Sequence, residues 1–295
     1  MRDWERTLDA ALRQQWKRYR KALQRCQRHF SEEAVHDSRV ECRRLLAQLE
    51  LLGVLAAARD VKKTRATLKD HLDTFDELRD TQVLLLLLER QTEAFPETRP
   101  LRQALLRREK RCLIDAARRI RSVKTSRVKE FVAALRCHLS AAAVSPEQRA
   151  RGRRAILQAI DEAFAQLVER RAKMDPGNVA TLHRTRVAFK KFRYMVEVLH
   201  RLVPGISAAR LEAMQGFQTL FGELQDTDVF LGRLDKFALK DRQRAGELAG
   251  FRHWLLRRRT AQIDACLRHA DMILEFWPPR GPARPAAKTR SRKAS

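Results

Sequence analysis

Two segments of this chain place the same chemistry at the same spacing. His36-Asp-Ser-Arg39-Val40-Glu-Cys-Arg43-Arg44-Leu45 and His183-Arg-Thr-Arg186-Val187-Ala-Phe-Lys190-Lys191-Phe192 share a His, an Arg, a Val, a basic pair and a large apolar residue, 147 positions apart. Arginine offers a planar fork of donors that matches phosphate or carboxylate oxygens, and lysine a more adaptable point charge. Histidine, with an ordinary pKa near 6.5, becomes a third kind of cation beside an anion. The set suits binding of phosphate groups. A second pair of segments carries acids: Phe75-Asp-Glu77-Leu78-Arg79-Asp80-Thr81-Gln-Val83 returns as Phe221-Gly-Glu223-Leu224-Gln225-Asp226-Thr227-Asp-Val229, offset by 146. A weaker echo sets Leu105-Leu-Arg107-Arg108 beside Leu255-Leu-Arg257-Arg258. The chain reads as a duplicated unit.

The elements that must position these residues are helices. Leu, Ala, Arg and Glu dominate, with only 10 Gly, 9 Pro and 2 Tyr, and strand signals are essentially absent. Breaks at Pro96, Pro100, Pro146, Pro176 and Pro204, two of them assisted by Gly177 and Gly205, separate helices expected at about 3–28, 33–56, 60–93, 99–121, 126–142, 146–173, 179–202, 206–237 and 241–276. Each half is then an antiparallel helical bundle, over residues 1–145 and 146–277. Residues 278–295 hold six cations, no acid and no hydrophobe larger than Ala or Pro, which is too little to fold. That tail is either a solubilising segment or a flexible arm adding nonspecific affinity for a polyanion.

On a helical wheel, His36, Arg39 and Arg43 fall within a sector about 60° wide, with Arg44 about 80° to one side and Leu45, Leu49 and Leu52 opposite. The second copy aligns His183, Arg186, Lys190 and Tyr194, flanked by Lys191 and Arg193, with Phe192, Val196 and Leu199 opposite. Arg39 and Arg186 are thus expected to point away from the apolar face. An ordinary solvated helix face also shows cations, but it mixes signs. These stripes carry no acid until Glu50 and Glu197, which sit at matching positions. Each His is either part of the anion-binding face or a hydrogen-bonding residue at a helix start. The acids Glu77, Asp80, Glu223 and Asp226 could be imagined as a carboxylate cluster for metal-assisted chemistry. The favoured reading is that they pair with cations of neighbouring helices and hold the Arg side chains, while Phe75, Leu78, Phe221 and Leu224 form core. No metal site and no cofactor is expected.

A balance of 62 Lys and Arg against 36 Asp and Glu gives a net charge of +26, which costs stability unless an anionic partner relieves it. The five cysteines are scattered and never in a C-x-x-C pair, which suggests neither a disulfide framework nor zinc, and they read as small buried hydrophobes. No export signal is evident, and the longest apolar run, Val83 to Leu88, is too short to span a bilayer. A cytoplasmic protein is the expectation.

Duplicated His-x-x-Arg-Val-x-x-basic-basic-apolar helices in a basic all-helical chain resemble the CHAD family, the conserved histidine α-helical domain. The resemblance covers nearly the whole chain except the tail. It implies an all-α fold of two four-helix bundles related by pseudo-two-fold symmetry, and noncatalytic binding of inorganic polyphosphate. The family's basic motif falls on His36, Arg39, Arg43 and Arg44, then on His183, Arg186, Lys190, Lys191 and Arg193, with Tyr194 ending the second motif. Leu46 and Ala47 stand where the second copy has Arg193 and Tyr194, so the first half is expected to bind less tightly or to delegate contacts to other helices. Candidates are Arg107, Arg108 and Arg111, then Arg257, Arg258 and Arg259. The Glu-x-Glu-x-Lys signature of the tunnel domain that accompanies some relatives is absent, which makes the chain look like a standalone module. Association with polyphosphate granules is one role the resemblance leaves open.

Two other functions compete. Nucleic-acid binding is permitted by the charge, but only 6% of residues are aromatic and Tyr194 alone could stack a base on the stripe. A phosphotransfer or polyphosphate-hydrolysing enzyme with His36 or His183 as nucleophile is chemically allowed, yet neither His has an identifiable acid partner in sequence.

Overall fold

The computed structural model describes residues 4–142, 144–239 and 242–277. The basic tail lies outside them. The described residues form α1 (Trp4–Arg28), α2 (Glu32–Leu52), α3 (Ala58–Asp73), α4 (Asp76–Glu89), α5 (Arg99–Arg121), α6 (Ser126–Ala142), α7 (Pro146–Ala172), α8 (Val179–Leu199), α9 (Ala208–Ala238), α10 (Arg242–Glu247) and α11 (Ala249–Arg268). Short 3-10 turns follow α2, precede α5 and close the described chain at Ala270–Glu275. The fold is all-α, and among the described residues there is no strand beyond one isolated bridge between Asp175 and Asn178.

Serine hydroxyls start three of these helices. Ser31 accepts from the Ala34 N–H at 3.1 Å, Ser145 from Gln148 at 3.2 Å and Ser207 from Arg210 at 3.1 Å, each using one donor that the first helical turn leaves unpaired. The turn into α8 is built locally: the Asp175 carboxylate accepts from the Gly177 N–H at 2.8 Å, and the Asp175 N–H donates to the Thr181 hydroxyl at 2.9 Å. Between α8 and α9, Gly205 takes φ +87, a conformation that side chains with a Cβ resist.

Two of the expected helices are interrupted. The helix expected over 60–93 breaks at Thr74 and Phe75. There the Leu72 carbonyl accepts from the Phe75 N–H at 3.0 Å and from Arg39 Nη1 at 3.0 Å. Asp76, first residue of the next helix, reaches Arg39 at 2.7 Å. The matching stretch of α9, Leu220-Phe221-Gly222, lacks that Asp and runs on without a break. The helix expected over 241–276 becomes α10, α11 and the closing 3-10 turn.

α1 pairs with α2 and α7 with α8, while α3 and α9 cover the second members of these pairs. α2 and α8, the helices carrying the two motif copies, pack on each other. The main core runs through both halves of the sequence, from Leu8, Leu12 and Leu45 to Phe192, Val196 and Phe217. Phe189, Phe217, Phe221 and Phe276 form a ring cluster, with centroids 4.5 Å apart for Phe189 and Phe217 and 5.7 Å for Phe217 and Phe276. Trp277 is buried against Phe192 and donates to Asp161 at 2.7 Å, which fastens the chain immediately before the basic tail. A second, smaller core joins Leu84, Leu88, Leu101 and Leu105 to Phe230, Leu234, Phe251 and Leu255. Leu105 and Leu255, the residues of the weakest sequence echo, therefore meet in one cluster. Cys26, Cys42, Cys112 and Cys266 are buried as expected, but Cys137 on α6 is exposed. No helix of the described residues is long and apolar enough to cross a membrane.

Candidate functional site

Because α2 and α8 pack together, their histidine-bearing ends open onto one cleft of about 580 Å³. His36, Arg39 and Arg43 line it from α2, and His183, Arg186 and Lys190 from α8. α4 and α9 close the other side with Asp76, Arg79, Asp80, Glu223, Gln225 and Asp226. Both repeated motifs and both acidic segments thus converge on the same space.

The cations there do not have equal freedom. Arg39 is only 6% exposed and is held by the Leu72 carbonyl and Asp76, contrary to the expectation that it points away from the packed face. Its counterpart Arg186 keeps a buried Nε with no hydrogen-bond partner. Burial lowers the Arg43 guanidinium to about 10, with Arg39 adding to the effect and Tyr194 and Asp76 opposing it. Arg186 is likewise lowered by burial, against the pull of Asp226. Lys190 is the extreme case. Burial, then the guanidinium groups of Arg43, Arg186, Arg39 and Arg193, push its ammonium down to about 6, and among the described residues it makes no ion pair.

The acids are also perturbed. Loss of hydration raises the carboxyl groups of Asp80 and Asp226, and each is raised further by another carboxylate, Asp76 for Asp80 and Asp80 for Asp226. Within the first repeated acidic segment, Asp76 pairs with the motif arginine Arg39, one position before the Glu77 singled out in the sequence. Glu77 pairs with Arg108 on α5 instead. His183 Nδ1 meets Gln225 Oε1, and Gln225 stands at the position that Arg79 occupies in the first acidic segment. Arg79 itself bonds Glu32 at 3.3 Å.

The flanking motif residues cross between the copies. Arg44 reaches Glu197 at 3.5 Å, and Lys191 reaches Glu50 at 3.3 Å. Arg44 and Lys191 hold matching positions in the two copies, as do Glu50 and Glu197. Each copy thus gives a cation to the other's acid, the pattern produced when like segments face each other across a two-fold relation. Arg193 is 6% exposed, donates to Gln218 at 2.9 Å and Glu197 at 2.6 Å, and lies over the Tyr194 ring. Arg193, expected on the flank of the stripe, and Tyr194, expected in the stripe itself, are both buried inside the fold.

Arg107, Arg108, Arg111, Arg257 and Arg258 do not line the cleft. Arg107, Arg111 and Arg257 are exposed on α5 and α11, Arg258 lies over Trp254, and Arg259 bonds Asp228 at 2.8 Å. Conversely, Arg79 and Gln218 belong to the cleft without having been singled out as binding residues. Arg79 was readable from its place in the repeated acidic segment, whereas nothing in the pattern of α9 marks Gln218.

An all-α architecture in which two packed, motif-bearing helices share one cleft defines the class. The CHAD domain family matches residues 10–235, and the chain belongs to that family. Its fold is similar to the crystal structure of the CHAD domain from the plant Ricinus communis, with a TM-score of 0.65 and 23% identity over 90% of this chain and 91% of that one. It is also similar to PptA from Streptomyces chartreusis, with a TM-score of 0.65 and 18% identity over 92% of this chain and 99% of that one. No curated protein matches the chain.

Proposed function

We propose that this protein binds inorganic polyphosphate without catalysis, in the cleft between α2, α8, α4 and α9. The observation that supports this best is the state of the cleft's cations: Lys190 lies among four arginines without an acid partner, and the Arg186 Nε is buried without an acceptor. The empty cleft holds Lys190 in its neutral form and leaves the Arg186 Nε unpaired, and entering oxyanions reverse both, because they accept from these donors and favour the charged ammonium. A chain of phosphates suits it better than one compact anion, since the cations come from two helices and are spread along about two turns of each, from His36 to Arg43 and from His183 to Lys190. The family resemblance supplies the specific anion. Binding is electrostatic in large part, so affinity falls steeply with added salt, as for proteins on nucleic acid.

The test is a titration of long-chain polyphosphate into the full chain at two salt concentrations, with an RNA competitor and a phosphate-release assay on the same samples. Tight binding that resists RNA and releases no phosphate is the expected result. Arg186→Ala and Arg43→Ala each remove a charge-assisted contact worth about 1.5–3 kcal/mol, or about 10- to 100-fold in affinity. Preferential RNA binding, or phosphate release lost in His36→Ala or His183→Ala, overturns the reading.

A further inference from the structure

A second pocket, of about 630 Å³, lies between α1, α2 and the end of α8. Arg6 and Arg18 face it from α1, Arg44 and Gln48 from α2, and His200 and Arg201 from the chain after α8. Among its described lining residues the one acid is Glu197, which is already held by Arg193 and Arg44. Gln48 is 2% exposed, and its amide nitrogen is buried in the wall with no hydrogen-bond partner. A buried donor left unpaired is costly unless a ligand oxygen accepts from it.

This pocket and the motif cleft have neighbouring walls. A shallow depression over Ala47, Val187 and Lys191, with Glu50 held by Lys191 in its lining, shares Arg43, Arg186 and Lys190 with the cleft, and Tyr194 with the second pocket. Along α8 the shared wall runs from His183 through Arg186, Lys190 and Tyr194 to Glu197, about 21 Å at the helical rise. None of the second pocket's arginines except Arg44 belongs to the repeated motif.

We propose that the pocket between α1, α2 and α8 is a second phosphate subsite, which a polyphosphate chain leaving the motif cleft fills once it is long enough to pass Tyr194. The inference rests on the polyphosphate reading and adds a preference for chain length: a short oligophosphate occupies either pocket alone, and a long chain joins both. Joining makes the second contact intramolecular, so affinity rises with length until the two pockets are spanned.

The experiment is calorimetric titration of tripolyphosphate, and separately of long-chain polyphosphate, into the full chain, into Arg18→Glu, and into the double variant Arg43→Ala with Arg186→Ala. Arg18 is exposed, so its replacement leaves the fold intact, which circular dichroism checks. The wild-type chain is expected to take up two tripolyphosphates, Arg18→Glu to keep one, and the double variant to keep the other. Long-chain affinity is expected to fall about tenfold or more in Arg18→Glu. A single tripolyphosphate site in the wild-type chain, or equal weakening of both sites by Arg18→Glu, overturns the second subsite while leaving the motif cleft in place. Failure of the wild-type chain to bind either probe overturns the polyphosphate reading itself. Gln48→Leu gives an independent check: a variant that melts no lower than wild type and binds long chain more weakly supports the subsite, and unchanged long-chain affinity counts against it.

Discussion

Arg39 and Arg186 occupy matching positions in the two motif copies and meet different surroundings. Arg39 is spent on the α3–α4 break, where it donates to the Leu72 carbonyl and pairs with Asp76, while Arg186 faces the cleft with an unpartnered Nε. Arg39→Ala should therefore cost about 1–3 kcal/mol in a denaturant melt, and Arg186→Ala should leave that melt nearly unchanged while weakening binding. Lys190 sets a pH dependence. Its ammonium lies at about 6 in the fold against an ordinary value of 10.5. Between those values the unfolded chain holds a proton that the native chain has released, so this group makes stability rise with pH across the window. Bound phosphate favours the charged form and reverses the release. Binding should then take up a proton, and affinity should fall from about pH 7.5 to about pH 9. Calorimetry in buffers of different ionisation heat measures that uptake, and Lys190→Met should abolish most of it and raise the melting temperature at neutral pH.

At the scale of elements, turns and breaks decide where the side chains meet. The Ser31 cap of α2 and the Asp175–Thr181 turn before α8 are local, and each starts a motif helix without help from distant residues. Gly205 is the point where the chain reverses from α8 into α9, and its φ of +87 needs a residue without a Cβ. Gly205→Ala should destabilise the protein by about 1–2 kcal/mol, read from the denaturant midpoint, because α9 must still pack on α8 across the strained turn. The break between α3 and α4 shows the opposite kind of control. Its hydrophobic spacing continues almost unaltered from Leu72 to Leu78, so periodicity reads one helix, whereas at the break Arg39 of α2 binds the Leu72 carbonyl and Asp76.

At the scale of the whole molecule, the sequence repeat does not divide the packing. The main core draws on α1, α2 and α6 together with α7, α8 and α9, and the smaller core is shared between α4, α5, α9 and α11. Unfolding should therefore follow one cooperative transition, coincident by far-ultraviolet circular dichroism and tryptophan fluorescence. A chain ending at residue 145 exposes half of both cores and should lack a cooperative melt; an independent transition in that fragment would show that each half folds alone. The reciprocal pairs from Arg44 to Glu197 and from Lys191 to Glu50 bind the halves at the site itself.

The amino-acid sequence alone determined the helical class, most helix boundaries, the buried faces of α2 and α8, and the residue types available for an anion. Those follow from spacing of 3.6 residues and from local capping, which a single segment contains within itself. Tertiary structure decided which cations remain available. A helical wheel places Arg39 and Arg193 on a face, but their long side chains reach a carbonyl on α3 and the side chains of Glu197 and Gln218, so they are buried and bound. Whether the two stripes share a cleft depends on how α2 and α8 pack, which periodicity about one axis cannot encode. The pocket beside Gln48 likewise exists only where three helices meet, and its Arg6, Arg18 and Arg201 come from segments outside the repeated motif.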